Sequence, residues 1–550
     1  MSARPRGNGV ARGVDALSGL VQRGICARAP HRNGRRFLIL HLDGVSRSRL
    51  LRGMNEGWLP NLRDLVERGG YRESPLYAGS PSSTPAFQAG LLWGVRADIP
   101  GFLWYDKRLG RPVRMDRKDD ATRIEDDLAR GRRGLLEDGT TYFSLFSGGS
   151  CVNGFCLTGW AREQVRLHAG ANGWDALSLL GLHALTAARV GADALREGVH
   201  AVTDVVGWAA KTGRLDHEGP FLKNRVLLAA GARNYAVQAT VLDIARGVPS
   251  IYCCFADYDE IGHRRGPDSE EALRALRSTD ASVGAVLRAL RQAGNDYDVY
   301  LLADHGQVAT QPFEQATGGT LRDLVCGKDV GREPEPSRSW PQNLARAAWR
   351  AATARPEQPG KMEVELLGAV RRGRGLAMES EVVVIDSGDV AHVYFTADRE
   401  PLTLEQIRAR YPGALEAVLA SPAAGVVAVR GGRAGLAWRD GQCLDLAEEA
   451  SAEQLGLGYG GARVRTAVAG MLGMRSSGDL VVYGNGLRGR DIAYAWEFGS
   501  HGGIAQDEVE AFVIHPEHTP FDFAAVEHAS DLYRFFTWHY GIETEPGQVV

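Results

Sequence analysis

The sequence predicts an α/β protein with a mostly parallel central sheet and helices on both faces, carrying a helical insertion and a smaller α+β cap. Three observations lead there. Short apolar runs at 35–44, 248–260 and 297–306 each end in an acidic turn, as buried strands of a parallel sheet do. Stretches with helical spacing separate those runs, so strands alternate with helices. A further apolar run at 508–516, EVEAFVIHP, reads as a late strand returning to the same sheet.

Taken in order, residues 1–35 read as a disordered basic leader, since the first 36 residues hold eight Arg and one acid. They contain no sustained apolar segment of the kind a secretory signal needs. RRFLILHLDG at 35–44 is a strand closing on Asp-Gly, and Leu50 to Gly69 has helical spacing. The stretch around 80–94 enters a helix, with Thr84 as N-cap and Pro85 at the first helical position. Residues 160–245 are Ala- and Leu-rich and read as a helical insertion within an α/β core spanning 36–330. VPSIYCCFADYDE is a strand running into a loop, 269–294 a helix, and YDVYLLADHG a strand ending in an acidic, His-bearing turn. Pro, Arg and Glu mark 331–361 as a mobile linker. EVVVIDSGDVAHVYF and GVVAVRGG supply strands of a cap over 362–495, and 496–550 completes the core.

Composition narrows the function classes. The chain has 550 residues, 44% hydrophobic and 24% charged, which is ample for a buried core. A net charge of −3 gives no case for nucleic-acid binding. The seven Cys include no C-x-x-C pair, so neither a disulfide framework nor a zinc knuckle is expected; Cys253 and Cys254 read as core residues. No transmembrane helix stands out. The longest uncharged stretch, Gly139 to Ala161, is rich in Gly, Ser and Thr and fails the ~20-residue apolar criterion. A cytoplasmic or membrane-peripheral location is the expectation.

The chemistry lies in the strand ends. Asp43, then Asp259 with His263, then Asp304 with His305 follow three strand candidates, and ligands bind at the carboxyl ends of strands in open α/β sheets. Asp and His are ligands that zinc accepts where thiolates are absent. Two cations ~3.5–4 Å apart can clamp both oxygens of a phosphoryl displacement. Singly, each residue is an ordinary turn or cap residue; the ordered set is specific.

That set resembles the alkaline phosphatase superfamily, in particular its type I phosphodiesterase/nucleotide pyrophosphatase branch. The resemblance rests on the strand-Asp-Gly at Leu40–Gly44, the Ser/Thr-Pro helix start within Ser82–Gly94, YDEIGHRRGPDS, LLADHGQ and GSHGG at 499–503. It implies an alkaline-phosphatase-like fold and a two-metal phosphate-ester hydrolase, with a phosphodiester as substrate. Asp43, Asp304 and His305 would hold one cation, and Asp259, His263 and His501 the other, both taken as Zn2+. The nucleophile, also a metal contact, would be a Thr or Ser at a helix start, giving a covalent phospho-enzyme. Counting back from Gly94 selects Thr84, while a Pro two places after the nucleophile would select Ser83. A nucleotide or lipid headgroup would be the partner, with peripheral membrane association open.

Neighbouring residues complete the expectation. Ser500 and Gly502 flank His501 and are candidates to orient it. The D-x-x-x-H spacing favours Asp259 over Asp257 as the ligand. Gln307 reads equally as a site residue or a surface turn, His392 as a structural histidine, and Trp104 and Tyr105 as packing. Gln88 stands where a sulfatase would carry Arg, which ranks that activity low. A phosphomonoesterase, a headgroup transferase and a non-catalytic scaffold on the same fold are the remaining alternatives.

Overall fold

The computed structural model describes residues 34–150, 152–158, 198–211, 218, 221, 231–294, 296–327, 381–456, 460–487 and 489–542. The basic leader up to residue 33, most of the 160–245 insertion and the 331–361 linker lie outside them. Within the insertion, the described residues 198–211 and 233–246 are helical.

Seven strands form the central sheet: β1 (Phe37–Leu42), β2 (Tyr71–Tyr77), β5 (Thr140–Ser144), β6 (Val152–Cys156), β7 (Ser250–Phe255), β8 (Asp298–Leu302) and β18 (Glu510–Pro516). Their order is β2-β18-β8-β1-β7-β5-β6. β8, β1, β7, β5 and β6 pair in parallel, and β18 runs antiparallel between β8 and β2. The mainly apolar runs FLILHL and SIYCCF, with Cys253 and Cys254, are buried along their whole length. Such a pattern fits central strands covered on both faces.

Helices flank this sheet in two groups. α1 (Arg47–Asn55), α2 (Pro60–Arg68), α5 (Arg233–Arg246), α6 (Asp257–Arg265) and α7 (Glu270–Ala293) form one; α3 (Thr84–Trp93), α4 (Lys118–Leu128) and a C-terminal helix (Ala529–His539) form the other. α7 shows how local chemistry sets its ends: the Ser269 hydroxyl accepts from Ala272 N–H, Glu270 and Glu271 occupy the first turn, and Gly294 closes the helix in the left-handed region.

Two local expectations change. Leu50 to Gly69 forms two helices, α1 and α2, because Pro60 can begin a helix but cannot continue one. The segment after β7 is helix α6, which starts at Asp257, where a loop was expected. Three acids in its first turn favour that start.

A second sheet occupies the later part of the chain. Its strands are β10 (Val382–Ser387), β11 (Val390–Phe395), β12 (Val426–Val429), β13 (Leu436–Arg439), β14 (Gln442–Asp445) and β15 (Leu480–Tyr483), all antiparallel in the order β10-β11-β15-β12-β13-β14. Val427, Val429 and Val482 bury on one face, while Val426, Ala428 and Tyr483 bury on the other. The period-2 alternation therefore splits between two apolar clusters. Between the sheets, β9 (Val308–Pro312) pairs with β16 (Asp491–Ala493) and β17 (Gly499–Ser500). β3 (Leu103–Asp106) and β4 (Arg111–Arg114) make a hairpin, in which Trp104 is buried and Tyr105 lies against Tyr394, as packing residues do. Among the described residues, no helix is long and apolar enough to cross a membrane.

Candidate active site

β1 delivers Asp43 at its carboxyl end, and β8 delivers Asp304 and His305 beside it. Asp259 and His263 stand on α6 at i and i+4, which puts both on one helix face. β17 pairs with β9 through Ser500 and Val308, and this brings the following His501 back to the residues after β8. The Phe498 amide donates to the His263 carbonyl at 2.8 Å, tying that late loop to α6.

The six side chains converge. His305 Nε2 lies 3.3 Å from Asp304 Oδ2 and 3.5 Å from Asp43 Oδ1. His263 Nε2 lies 3.2 Å from Asp259 Oδ2, and His501 Nε2 lies 3.9 Å from Asp259 Oδ1. The His305 and His501 rings stack, which joins the two groups into one cluster. Asp257, by contrast, pairs with Arg233 and accepts from Thr279. His392 accepts an N–H from Gly478 inside the second sheet, away from this cluster.

Thr84 and Ser83 separate clearly in geometry. The Thr84 hydroxyl lies 3.2 Å from His305 Nε2 and 3.4 Å from Asp43 Oδ1. The Ser83 hydroxyl is buried and forms no hydrogen bond. The N-cap of α3 is Ser83, with Thr84 already helical, one residue earlier than expected. Thr84 does not fold back onto its own helix because its hydroxyl turns to the Asp/His cluster. No side chain caps this first turn, so its N–H groups stay open to an anion.

Each imidazole presents Nε2 to the cluster and anchors Nδ1 elsewhere. His305 Nδ1 donates to Gly306 O at 3.0 Å and His501 Nδ1 to Ser82 O at 2.8 Å. His263 Nδ1 lies 3.1 Å from Glu497 Oε2. This is how metal-bound histidines are usually held. Ser82 also accepts the Gly502 N–H and donates to Gly503 O. Ser82 is thus the residue that orients His501, a role expected of Ser500 and Gly502. Ser500 donates instead to Glu497. Gln307 is fully buried and its Nε2 donates to the Asp259 carbonyl and carboxylate, so it belongs to the site.

The electrostatics of the cluster are dominated by its three buried carboxylates. Burial and the neighbouring Asp304 and Asp259 push the Asp43 carboxyl well above the usual range. Burial alone would raise Asp259 and Asp304 too; His263 beside the first and His305 beside the second hold them below it. Burial and the adjacent His305 push His501 down to about 3. Among the described residues, no Lys or Arg pairs with any of these three carboxylates. Asp304 Oδ2 is buried without a hydrogen-bond partner. Three buried carboxylates with an orphaned oxygen, amid imidazole nitrogens, fit divalent cations of the zinc type. Two triads bring their donor atoms within 4.8 Å of one another: Asp259 with His305 and His501, and His41 with Asp43 and Asp304.

Backbone economy makes this proximity possible. Gly44 adopts φ +72°, and a Cβ there would collide with Asp259 Oδ1. Gly262 lies so close to Gln307 Oε1 that it too excludes a side chain.

The sequence profile described as type I phosphodiesterase/nucleotide pyrophosphatase matches residues 37–329, more than half of the chain. The chain belongs to that family. The matched segment contains Asp43, Thr84, Asp259, His263, Asp304 and His305, while His501 follows it. Membership in the type I phosphodiesterase/nucleotide pyrophosphatase family places the chain in the alkaline phosphatase superfamily and among phosphoester hydrolases. Among solved structures, it is similar to phosphonoacetate hydrolase from Sinorhizobium meliloti 1021 in complex with phosphonoformate. The identity is 15%, 93% of this chain and 96% of that chain are covered, and the TM-score is 0.44. Among curated protein sequences, none matches the chain significantly.

Several site residues escaped the sequence reading. His41 was the one polar residue in FLILHL, two positions before Asp43 and so on the same strand face. Ser82, Glu497 and the Tyr252–Gln88 pair carried no local signal.

Proposed function

We propose that this family member is a two-metal phosphodiesterase that works through a phospho-Thr84 intermediate. The observation supporting this most directly is the Thr84 hydroxyl, set between His305 Nε2 and Asp43 Oδ1 at an uncapped helix start. Asp43, Asp304 and His305 would hold one cation, and Asp259, His263 and His501 the other, with Zn2+ the fitting ion. Bound cations would supply Lewis-acid stabilisation of charge developing on the phosphoryl group.

The chain's own residues do the rest. Thr84 Oγ1 attacks phosphorus in line, forming the Oγ1–P bond as the P–O bond to the leaving group breaks, and the hydroxyl proton ends on the departing ester oxygen, which leaves as the alcohol. Open N–H groups in the first turn of α3 orient the phosphoryl oxygens. Water then attacks phosphorus opposite Oγ1, which releases the phosphate product and restores the hydroxyl. A nucleotide or a lipid headgroup is the substrate class, and lipid-linked substrates would bring the protein to a membrane surface.

A hydrolysis screen tests the reading. Bis-aryl and mono-aryl phosphates are compared on zinc-loaded and chelated protein, with mass spectrometry of quenched reactions. Faster bis-aryl turnover, loss on chelation and, on the peptide bearing Thr84, an aryl-phosphoryl adduct from the bis-aryl substrate or a phosphoryl adduct from the mono-aryl one are expected. Undiminished turnover after chelation, or full activity in Thr84→Ala, would sink it.

A further inference from the structure

One buried histidine next to the cluster has no part in the scheme above. His41 is fully buried on β1, and its Nε2 lies 2.9 Å from Asp304 Oδ1. It also sits within ligand distance of Asp43 and Asp304, as if it could bind a cation itself. The hydrogen-bond network around it argues otherwise.

That network has a fixed polarity. Gln88 Oε1 accepts the backbone N–H of Leu145 at 3.0 Å and of Phe146 at 3.4 Å. The carboxamide therefore faces the opposite way with its NH2, and Nε2 donates to the Tyr252 hydroxyl at 3.2 Å. Burial holds the Tyr252 phenol well above its ordinary pKa, so it keeps its one proton. Its oxygen already accepts from Gln88, and the other partner is His41 Nδ1, 2.5 Å away. Tyr252 must then donate to Nδ1. The imidazole proton is left on Nε2, beside the Asp304 carboxylate but out of line with it, and that nitrogen has no lone pair for a cation.

The consequence falls on Asp304. Its Oδ1 also accepts the His305 backbone N–H at 2.9 Å. Oδ1 thus accepts one backbone N–H and has the His41 ring against it, while Oδ2 forms no hydrogen bond and faces the His305 side of the cluster. The His41–Asp304 contact is close but bent, so it acts chiefly through charge and dipole.

We propose that Gln88, Tyr252 and His41 form a relay that fixes Asp304 as a one-oxygen metal ligand, with His41 a positioning residue and not itself a ligand. The inference rests on the two-metal reading of the site. Outer partners of this kind are typically worth ~10–100-fold in metal affinity.

The test is Co2+ binding to the metal-stripped full chain, read by chelator competition and by the visible absorption of bound Co2+. His41→Leu should weaken one of two Co2+ sites by roughly 10–100-fold and leave the other unchanged. His41→Gln, which can still donate an N–H, should recover most of the loss. Tyr252→Phe, which keeps the ring, should give a smaller loss at the same site. Band shape at full loading should match wild type in all three, since no ligand is lost. Wild-type affinity in both His41→Leu and Tyr252→Phe would overturn the relay. So would a His41→Leu spectrum lacking one nitrogen ligand, which would make His41 a ligand. If His41→Leu does not fold, Tyr252→Phe alone decides. A wild-type chain that binds no Co2+ would instead overturn the two-metal reading, and the relay with it.

Discussion

The imidazoles of His305 and His501 stack face to face, 3.7 Å between centroids and 18° between planes. Two imidazolium ions would not tolerate that approach. Burial and His305 hold His501 at a pKa of about 3, so it stays neutral across physiological pH. Each ring donates its Nδ1 proton to a backbone carbonyl, Gly306 O or Ser82 O, and turns Nε2 toward the carboxylates of the cluster. This stacked pair is the junction between the Asp43/Asp304 group and the Asp259/His263 group.

Thr84→Ala should lower phosphodiester turnover on the order of 10³-fold or more, as loss of a nucleophile does. Ser83→Ala should keep turnover near wild type, since the Ser83 hydroxyl forms no hydrogen bond. Steady-state kinetics on both variants decide the nucleophile; equal losses would leave Thr84 without its special role.

Glu497→Gln should weaken binding at the Asp259/His263/His501 group by roughly 10–100-fold. Burial alone would lower the His263 imidazole; the Glu497 carboxylate, 3.1 Å from Nδ1, and Asp259 together raise its pKa well above the usual value. Metal content after dialysis against graded chelator reads the effect. Unchanged retention would mean that Glu497 does not act through His263.

Gly44→Ala should abolish activity while leaving the sheet intact. The residue needs φ +72°, and its new Cβ would displace Asp259. Circular dichroism like that of the wild type, together with loss of one bound metal, is the expected pairing. Full metal occupancy would show that Asp259 can retreat and still bind.

His392 should make the second sheet sensitive to acid. Burial lowers its pKa to about 4 while its Nδ1 accepts the Gly478 N–H. A folded pKa below the unfolded value of about 6.5 means the folded state resists protonation. Its contribution is complete above pH 6.5 and drains away as pH falls toward about 4, reaching roughly 3 kcal/mol. Urea unfolding between pH 7 and 4 should show a steeper loss for wild type than for His392→Gln, which accepts the same N–H without titrating. Parallel pH profiles would refute this.

The sequence carried the parts of the site that are local. Asp43, Asp304 and His305 each follow an apolar strand directly, so periodicity and a turn located them. The α6 helix was missed because its acidic first turn, Asp257, Asp259 and Glu260, resembles a polar loop in composition. Ser82 and His501 are 419 residues apart, and His41 and Tyr252 are 211 apart. Contacts of that kind depend on side-chain direction in the assembled sheet, which no local pattern encodes. Gln307 is the intermediate case: its place beside His305 was plain, its inward direction was not.

The central sheet also dictates an order of assembly. β18 fills the slot between β2 and β8, yet it comes from residues 510–516, near the end of the chain. While the ribosome is still making the preceding residues, β8 presents an unpaired edge where β18 will lie. Exposed edges of this kind invite pairing with other chains. His501 emerges only nine residues earlier than β18 begins, so a nascent or truncated chain holds five of the six metal-type residues and an open sheet together. Completion of the sheet and completion of the cluster are one late event, and a chain cut before it would be at once unable to close its metal site and prone to aggregate.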